Sequence, residues 1–322
     1  MSTVSFFSTV QDELQLVEKR MRAQADEKNH PDLSAALDHL LAAGGKRIRP
    51  TVAFLVGNML GAPGDKLVTL GAAVEMLHTA TLVHDDLIDG SLLRRGTPTL
   101  NARWSPAATV LTGDFLFARA AKLAAEIENQ PLMRLFAETL AVIVSGELTQ
   151  LFAARGSISR ENYYQRIYAK TASLFEMSTR AAAMVSPADE ATIEAMRLFG
   201  YETGMAFQIM DDVLDFTGDQ AAVGKPVGSD LLQGLVTLPA LYYLENHPED
   251  DDVRLLKDGG WGNRERMERL VQSIRGSEAI RQAMQEARNR VESALAVIEP
   301  FQGGAEKAAL TELAIYIVDR NS

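Results

Sequence analysis

Six aspartates in two short runs are the residues of this sequence best placed to do chemistry. His84-Asp85-Asp86-Leu87-Ile88-Asp89 sets three carboxylates at i, i+1 and i+4, and Asp211-Asp212-Val213-Leu214-Asp215 repeats the pattern. At about 100° per residue, such positions fall within roughly one 100° arc of a helix, so each trio is expected to project from one face. Like charges at that spacing weaken a helix by about a few tenths of a kcal/mol per pair, and a cation would offset the repulsion. Hard carboxylate oxygens suit Mg²⁺, which keeps several waters and is shared between one or two carboxylates and substrate phosphates. One such run alone reads equally well as a solvated acidic face. Two runs, both preceded by apolar helical sequence at 77–83 and 205–210, favour the metal.

Cations stand near these acids in two clusters. Gly44-Gly45-Lys46-Arg47-Ile48-Arg49-Pro50 is a glycine turn with three cations leading into a helix near Pro50, and Arg94-Arg95-Gly96 follows the first acidic run. Helix N-termini with added cations attract anions; taken alone, the first cluster reads as well as a helix C-cap with solvated side chains. His78 lies seven residues before Asp85 on the same face, placed to donate to a phosphate or to sit as a satisfied core histidine. Walker-type and dinucleotide-binding glycine patterns are absent, so nucleotides are not indicated. Two carboxylate clusters with Lys46, Arg47, Arg49, Arg94 and Arg95 describe a pocket for diphosphates. Metal makes a diphosphate a good leaving group, and an organic half seated in the apolar groove below Asp85 would ionise to an allylic cation.

The elements that must position these residues are helices. Apolar spacings of three and four predict helices over 3–25, from Pro31-Asp32 to Gly44-Gly45, from near Pro50, over 65–89, 105–128, 132–152, 160–185 and 188–216, then 264–274, 277–298 and 305–319. The stripe Leu67, Leu70, Val74, Leu77 and Thr81 runs directly into Asp85. Alternating strand patterns are missing. Residues 216–237, with five glycines and prolines, read as a loop with one short helical turn, and 246–264 as a charged surface connection. With 322 residues, 47% of them hydrophobic, and no break in composition, the expectation is an all-α fold: one domain, 1–322, of about a dozen helices. Net charge −11 argues against nucleic acid, and the absence of cysteine removes disulfides, thiolate nucleophiles and zinc–thiolate sites. No uncharged apolar run long enough to span a membrane and no signal sequence stand out, so a cytoplasmic protein is expected.

The motifs 44–50 and 84–96, with Gly113-Asp114, Lys170-Thr171, 207–215 and Gly224-Lys225-Pro226-Val227-Gly228-Ser229-Asp230, together resemble the all-trans isoprenyl diphosphate synthases. They occur in the family's order and cover most of the chain, from about Gly44 to Pro239. The resemblance is greatest to the long-chain branch, the heptaprenyl and octaprenyl diphosphate synthases, which share a turn like Leu231-Leu232-Gln233-Gly234. It implies the isoprenoid synthase-like bundle around a central cavity, a homodimer with a small partner subunit left open, and Mg²⁺ held by Asp85, Asp86, Asp89, Asp211, Asp212 and Asp215 with the allylic diphosphate. It further implies that Arg94, Lys170 and Lys225 hold the allylic diphosphate, and that Lys46, Arg47, Arg49, His78 and Arg95 bind isopentenyl diphosphate. Thr171 and Gln208 would place oxygens near the developing cation, and Phe207 would pack by the homoallylic substrate. Ionisation, attack by the isopentenyl double bond and proton loss to the departing diphosphate would follow in that order.

Product length is then a packing question. Thr81 lies one turn before Asp85, and by resemblance Ala80 joins it in lining the growing chain; small residues there leave a tunnel open beyond geranylgeranyl, for a product of C30 or longer. Phe54, Met133 and Phe136 are candidates for its floor. Leu235 stands where many short-chain relatives have a second lysine, which marks the branch. Three alternatives stay in view: a farnesyl or geranylgeranyl diphosphate synthase closed by another helix, a terpene cyclase, and a non-catalytic subunit of a heteromeric synthase. Cyclases usually replace the second acidic run, and non-catalytic subunits lose these motifs, whereas both are complete here.

Overall fold

The computed structural model describes residues 5–25, 31–152, 158–218, 227–257 and 259–320. Among the described residues the fold is all-α but for one small hairpin. In order, the helices are α1 (Ser5–Ser8), α2 (Gln11–Arg22), α3 (Pro31–Ala42), α4 (Ile48–Met59), α5 (Gly64–Ile88), α6 (Pro106–Glu126), α7 (Gln130–Phe152) and α8 (Arg160–Ile167). A π-helical turn, Tyr168–Ala172, leads into α9 (Ser173–Met184) and α10 (Glu190–Thr217). The last six are α11 (Ser229–Leu232), α12 (Leu238–Asn246), α13 (Asp251–Lys257), α14 (Arg264–Arg275), α15 (Ala279–Ile298) and α16 (Ala305–Asp319). Side-chain caps begin several of them: Ser105 accepts from the Ala108 amide, with Pro106 at the first helical position, and Ser159 accepts from the Asn162 amide.

Two compact units make up the chain, the first formed by Met1–Thr139, Met177–Arg197 and Phe301–Leu310, the second by Leu140–Glu176, Leu198–Pro300 and Thr311–Ser322. In the first, α5 is the element against which α2, α4 and α6 pack. Leu67, Leu70, Val74 and Leu77 of the predicted stripe are buried, each contributing about 1.5–3 kcal/mol. Two glycines let its neighbours close in: a Cβ at Gly57 would meet the Leu67 side chain at 2.3 Å, and one at Gly71 would meet Val17 at 2.9 Å. In the second unit, α12 packs on α8, α14 and α15, while α14 also receives α11 and α13.

Helix α12 (Leu238–Asn246) lies outside every predicted helix, and four further features depart from the helix pattern read in the sequence. The predicted helix over 3–25 breaks at Val10 (φ −130°, ψ 23°), where the β-branched pair Thr9-Val10 disfavours a helix interior. The segment 246–264 holds α13, whose Val253 and Leu256 are buried; two turns of helix among charges leave too short a pattern to see. The predicted helix over 160–185 is interrupted by the π turn. A hairpin, β1 (Leu93–Arg94) with β2 (Thr97–Pro98), follows α5. In addition, α5 and α7 are long and apolar enough to cross a membrane by length and composition, because isolated charges such as Glu75 and Glu147 do not outweigh their apolar neighbours. The apolar window of α5 is 67% buried, as in a core helix, and that of α7 only 22%.

Candidate active site

The first acidic motif sits on the last turn of α5. That helix ends in a Schellman motif: Gly90 takes φ 63°, its amide donates to the Leu87 carbonyl, and the Ser91 amide donates to the Asp86 carbonyl at 2.8 Å. Three carboxylates therefore gather where the helix dipole is negative, which costs about 0.3–1 kcal/mol for each exposed charge. A cation at that end is the natural remedy. Part of it comes from the hairpin, where Arg94 Nε donates to both oxygens of Asp86, at 2.9 and 3.1 Å. Asp86 is 6% exposed, so this pair is partly shielded from water, whereas Asp85 is half-buried and Asp89 exposed.

The hairpin separates two adjacent arginines. Leu93 pairs with Pro98 and Arg94 with Thr97, leaving Arg95 (φ 53°) and Gly96 (φ 74°) as the two turn residues, the left-handed pair that defines a type I′ turn. While Arg94 turns to the aspartates, Arg95 Nη1 donates to the carbonyl of Gly44. There it joins the glycine turn before α4. A Cβ on Gly45 would lie 2.7 Å from Arg47 Nη1 and 2.9 Å from Arg95 Nη1, so the missing side chain is what lets two guanidiniums approach. Arg49 Nη1 stands 3.1 Å from His78 Nε2. Burial, reinforced by Arg49 and Arg95, holds the His78 pKa well below its usual value. The neutral ring thus accepts from Arg49 on Nε2 and carries its proton on Nδ1, the nitrogen left to donate to an anion.

Arg47 departs from the expected grouping. Its Nη1 donates to Glu75 at 2.9 Å and its Nε to Glu18 at 3.2 Å, so it ties α2 and α5 to the start of α4 while Lys46 remains exposed. Its own backbone, at φ 48°, turns the chain into α4. Ala80 is fully buried, and Thr81 is half-buried with its hydroxyl donated to the His78 carbonyl. Gly113 makes room for His84: a Cβ there would fall 2.4 Å from the ring, which lies 3.4 Å from Asp114. An open groove of about 690 Å³ lined by Leu33, Trp104, Leu111 and Phe115 contains none of the predicted site residues.

In the second unit, Lys170 and Thr171 both lie on the π turn. Two glycines grip that turn: a Cβ on Gly146 would sit 2.4 Å from the Ala169 Cβ, and one on Gly204 2.6 Å from the Ala172 Cα. Lys170 Nζ donates to Glu147 at 3.1 Å. Thr171 donates to Gln208 Oε1 at 2.6 Å, and Gln208 Nε2 donates to Asp212 Oδ1 at 2.9 Å. Tyr163 donates to the other oxygen of Asp212 at 2.7 Å. Burial first, then the Asp230 carboxylate, pushes the Asp212 pKa up to about 7.

The second trio does not project from one face. Asp212 is 3% exposed and turned into the core, whereas Asp211 meets Arg320 at 2.6 Å. Asp215 accepts from the Ser229 hydroxyl at 2.8 Å and from the Asp230 amide at 3.3 Å, tying down the start of α11. Phe207 packs beside Phe175, with the Arg320 guanidinium 4.0 Å from its ring centre. Lys225 lies outside the described residues. Tyr163, Glu75, Glu147 and Arg320 were not singled out in the sequence, since each partner lies more than twenty positions away and no local pattern marks it.

Among the described residues no group of three acidic or histidine side chains is placed to hold a metal ion by itself. Asp85 and Asp89 at the dipole-negative end of α5, and Asp211 and Asp215 on α10, are hard oxygen donors that fit Mg²⁺ when substrate phosphates and water complete its shell. Residues 30–274 match the family model described as Polyprenyl synthetase. The chain is 35% identical to heptaprenyl diphosphate synthase component 2 of Bacillus subtilis, over 98% of this chain and 90% of that one. It is 38% identical to octaprenyl diphosphate synthase of Haemophilus influenzae, over 88% of this chain and 87% of that one. A solved polyprenyl synthase from Caulobacter crescentus CB15, complexed with calcium and isoprenyl diphosphate, superposes with a TM-score of 0.89 at 34% identity, covering 99% of this chain and 98% of that one.

Proposed function

The chain belongs to the polyprenyl synthetase family, and we propose that it is a trans-prenyltransferase that condenses isopentenyl diphosphate with an allylic diphosphate, repeatedly, to a long-chain all-trans polyprenyl diphosphate. The observation that carries this reading is the hairpin after α5, which sends Arg94 to the first aspartate motif and Arg95 to the glycine turn. Two anion sites served by one turn are what a reaction between two diphosphates requires.

Arg94 holds the allylic diphosphate beside Asp85, Asp86 and Asp89; the family's motif pattern assigns Lys170, Lys225, Asp211 and Asp215 to the same substrate and its metal. Lys46, Arg49, Arg95 and the Nδ1–H of neutral His78 hold isopentenyl diphosphate, with Arg47 bracing them through Glu75 and Glu18. Mg²⁺, when bound, neutralises the charge that develops on the leaving diphosphate. The allylic carbon–oxygen bond breaks with its electron pair going to the diphosphate, and the isopentenyl double bond then supplies the pair for the new carbon–carbon bond. Thr171 and Gln208 turn oxygens toward the cation. A proton then passes from the new carbocation to the departing diphosphate, and its bonding pair restores the double bond.

Ala80 and Thr81 are small, and the two relatives named above make heptaprenyl and octaprenyl products by name, which supports a product of C30 or longer. Helix α7 exposes Val144, Leu148, Leu151 and Phe152, a stripe at helical spacing suited to a second copy of the chain in a homodimer. The Bacillus subtilis relative is named as a component, so a distinct partner subunit is the other occupant to test, and sedimentation of the purified chain alone separates the two. The activity is tested with Mg²⁺, farnesyl diphosphate and labelled isopentenyl diphosphate. A ladder ending at C30 or beyond is expected; a stop at C20 would place the chain in the short branch, and no product from chain that sediments as a dimer would overturn the reading.

A further inference from the structure

Four side chains of the second unit form one hydrogen-bonded line, Thr171 to Gln208 to Asp212 and, from the far side, Tyr163. Its polarity follows from the chemistry of its members. Asp212 accepts at both of its oxygens, from the Tyr163 hydroxyl and from the amide nitrogen of Gln208, so the oxygen of Gln208 faces Thr171. Only a donor satisfies that oxygen, and the 2.6 Å oxygen–oxygen separation fits O–H···O better than any amide N–H. The Thr171 hydroxyl thereby gives its one proton inward and keeps its lone pairs. Tyr163 is 1% exposed and anchors the line by donating to the remaining carboxylate oxygen.

We propose that Tyr163 and Asp212 are positioning residues that lock the Gln208 amide, and through it the Thr171 hydroxyl, as an electron-rich surface for an electron-poor carbon, and that Asp212 is not a magnesium ligand. The inference rests on the prenyl-transfer reading above and deepens it. A threonine free to rotate would present its hydroxyl proton to a cation for part of the time, and a buried line of hydrogen bonds removes that freedom. The sequence pattern groups Asp212 with Asp211 and Asp215; the structure assigns it to Gln208 and Tyr163.

The test combines kinetics with metal binding in the full-length protein. Tyr163→Phe is expected to lower kcat about ten- to a hundredfold, the range for a slightly misplaced reacting group, with both KM values and the melting temperature little changed. Because the members act as a unit, Tyr163→Phe combined with Gln208→Ala should lose no more than Gln208→Ala alone. Calorimetric titration with Mg²⁺ and inorganic diphosphate should give the same affinity for Asp212→Asn as for the natural chain, and a weakened one for Asp85→Ala. Unchanged kcat in Tyr163→Phe, additive losses in the double variant, or Asp212→Asn binding metal as poorly as Asp85→Ala would each overturn the proposal. Tyr163→Phe keeps the ring and carries the test should Asp212→Asn fail to fold. A natural chain that binds Mg²⁺ and diphosphate yet makes no product would sink the prenyl-transfer reading instead, leaving the calorimetry to decide the place of Asp212.

Discussion

Arg320 reaches back 109 positions to donate a 2.6 Å hydrogen bond to Asp211. Its side chain is 7% exposed, its Nη2 also donates to the Phe207 carbonyl, and its guanidinium covers the Phe207 ring. The end of α16 is thereby fastened to the first aspartate of the second motif. Arg320→Met keeps the packing and removes the charge, so the melting temperature without metal should fall by about 2–5 °C, and millimolar Mg²⁺ should restore more of it than in the natural chain, because Asp211 then takes its counter-charge from the metal. An unchanged melting temperature would show that the pair contributes nothing.

The divergence of Arg94 and Arg95 predicts a clean kinetic split. Arg94→Ala should raise KM for the allylic diphosphate and Arg95→Ala that for isopentenyl diphosphate, each about 10–100-fold, as expected for charge-assisted hydrogen bonds to phosphate. Equal effects of either change on both substrates would mean that the turn does not separate two sites.

Asp85→Ala should reduce turnover by about a thousandfold or more, several kcal/mol of leaving-group stabilisation being lost, with the helical circular dichroism intact. Near-normal activity would remove the metal from this motif.

His78 predicts a pH dependence of stability. Its pKa in the folded chain lies well below the ordinary 6.5, through burial first and then Arg49. The unfolded chain therefore binds the proton first, and the contribution of neutral His78, full above 6.5, is lost as pH falls below it, by at most about 1.4 kcal/mol per pH unit. Melting temperatures from pH 8 to 5 should decline more steeply for the natural chain than for His78→Gln, which stays neutral and still accepts from Arg49. Parallel curves would place the proton elsewhere.

Thr81→Phe should shorten the product to C20 or less, since the position is half-buried one turn before Asp85 and the new ring can enter the path of the chain without overpacking the core. Ala80→Phe should do the same at a larger cost in stability, because Ala80 is fully buried. A product unchanged in both variants would show that this turn of α5 does not line the tunnel.

Much of this was legible in the sequence, and what was not has physical causes. The stripe ending at Asp85 located α5 almost to the residue, because burial on one helix repeats with a fixed period. Grouping i, i+1 and i+4 on one face was too coarse: a 100° arc is as wide as a whole apolar stripe, so Asp211 and Asp212 can fall on opposite sides of the waterline, as they do. Arg47 reads as one more cation in a basic run, and only its contacts with Glu75 and Glu18 separate it from Lys46 and Arg49. The π turn leaves no trace in apolar spacing, because 160–172 keeps helical periodicity up to the surplus residue.

That turn, Tyr168–Ala172, also sets an angular phase. Closing i to i+5 accommodates one residue more than an α-helical turn, so everything after it is rotated by about 100° relative to the helix that α8 would otherwise continue. Gly146 and Gly204 clamp the turn from two sides, and neither tolerates a side chain without displacing it. Losing a single residue here would restore a regular helix and cancel that phase, turning the buried Leu174, Phe175 and Met177 of α9 out of the core. Deletions across 168–172 are therefore expected to lower the melting temperature as well as the turnover.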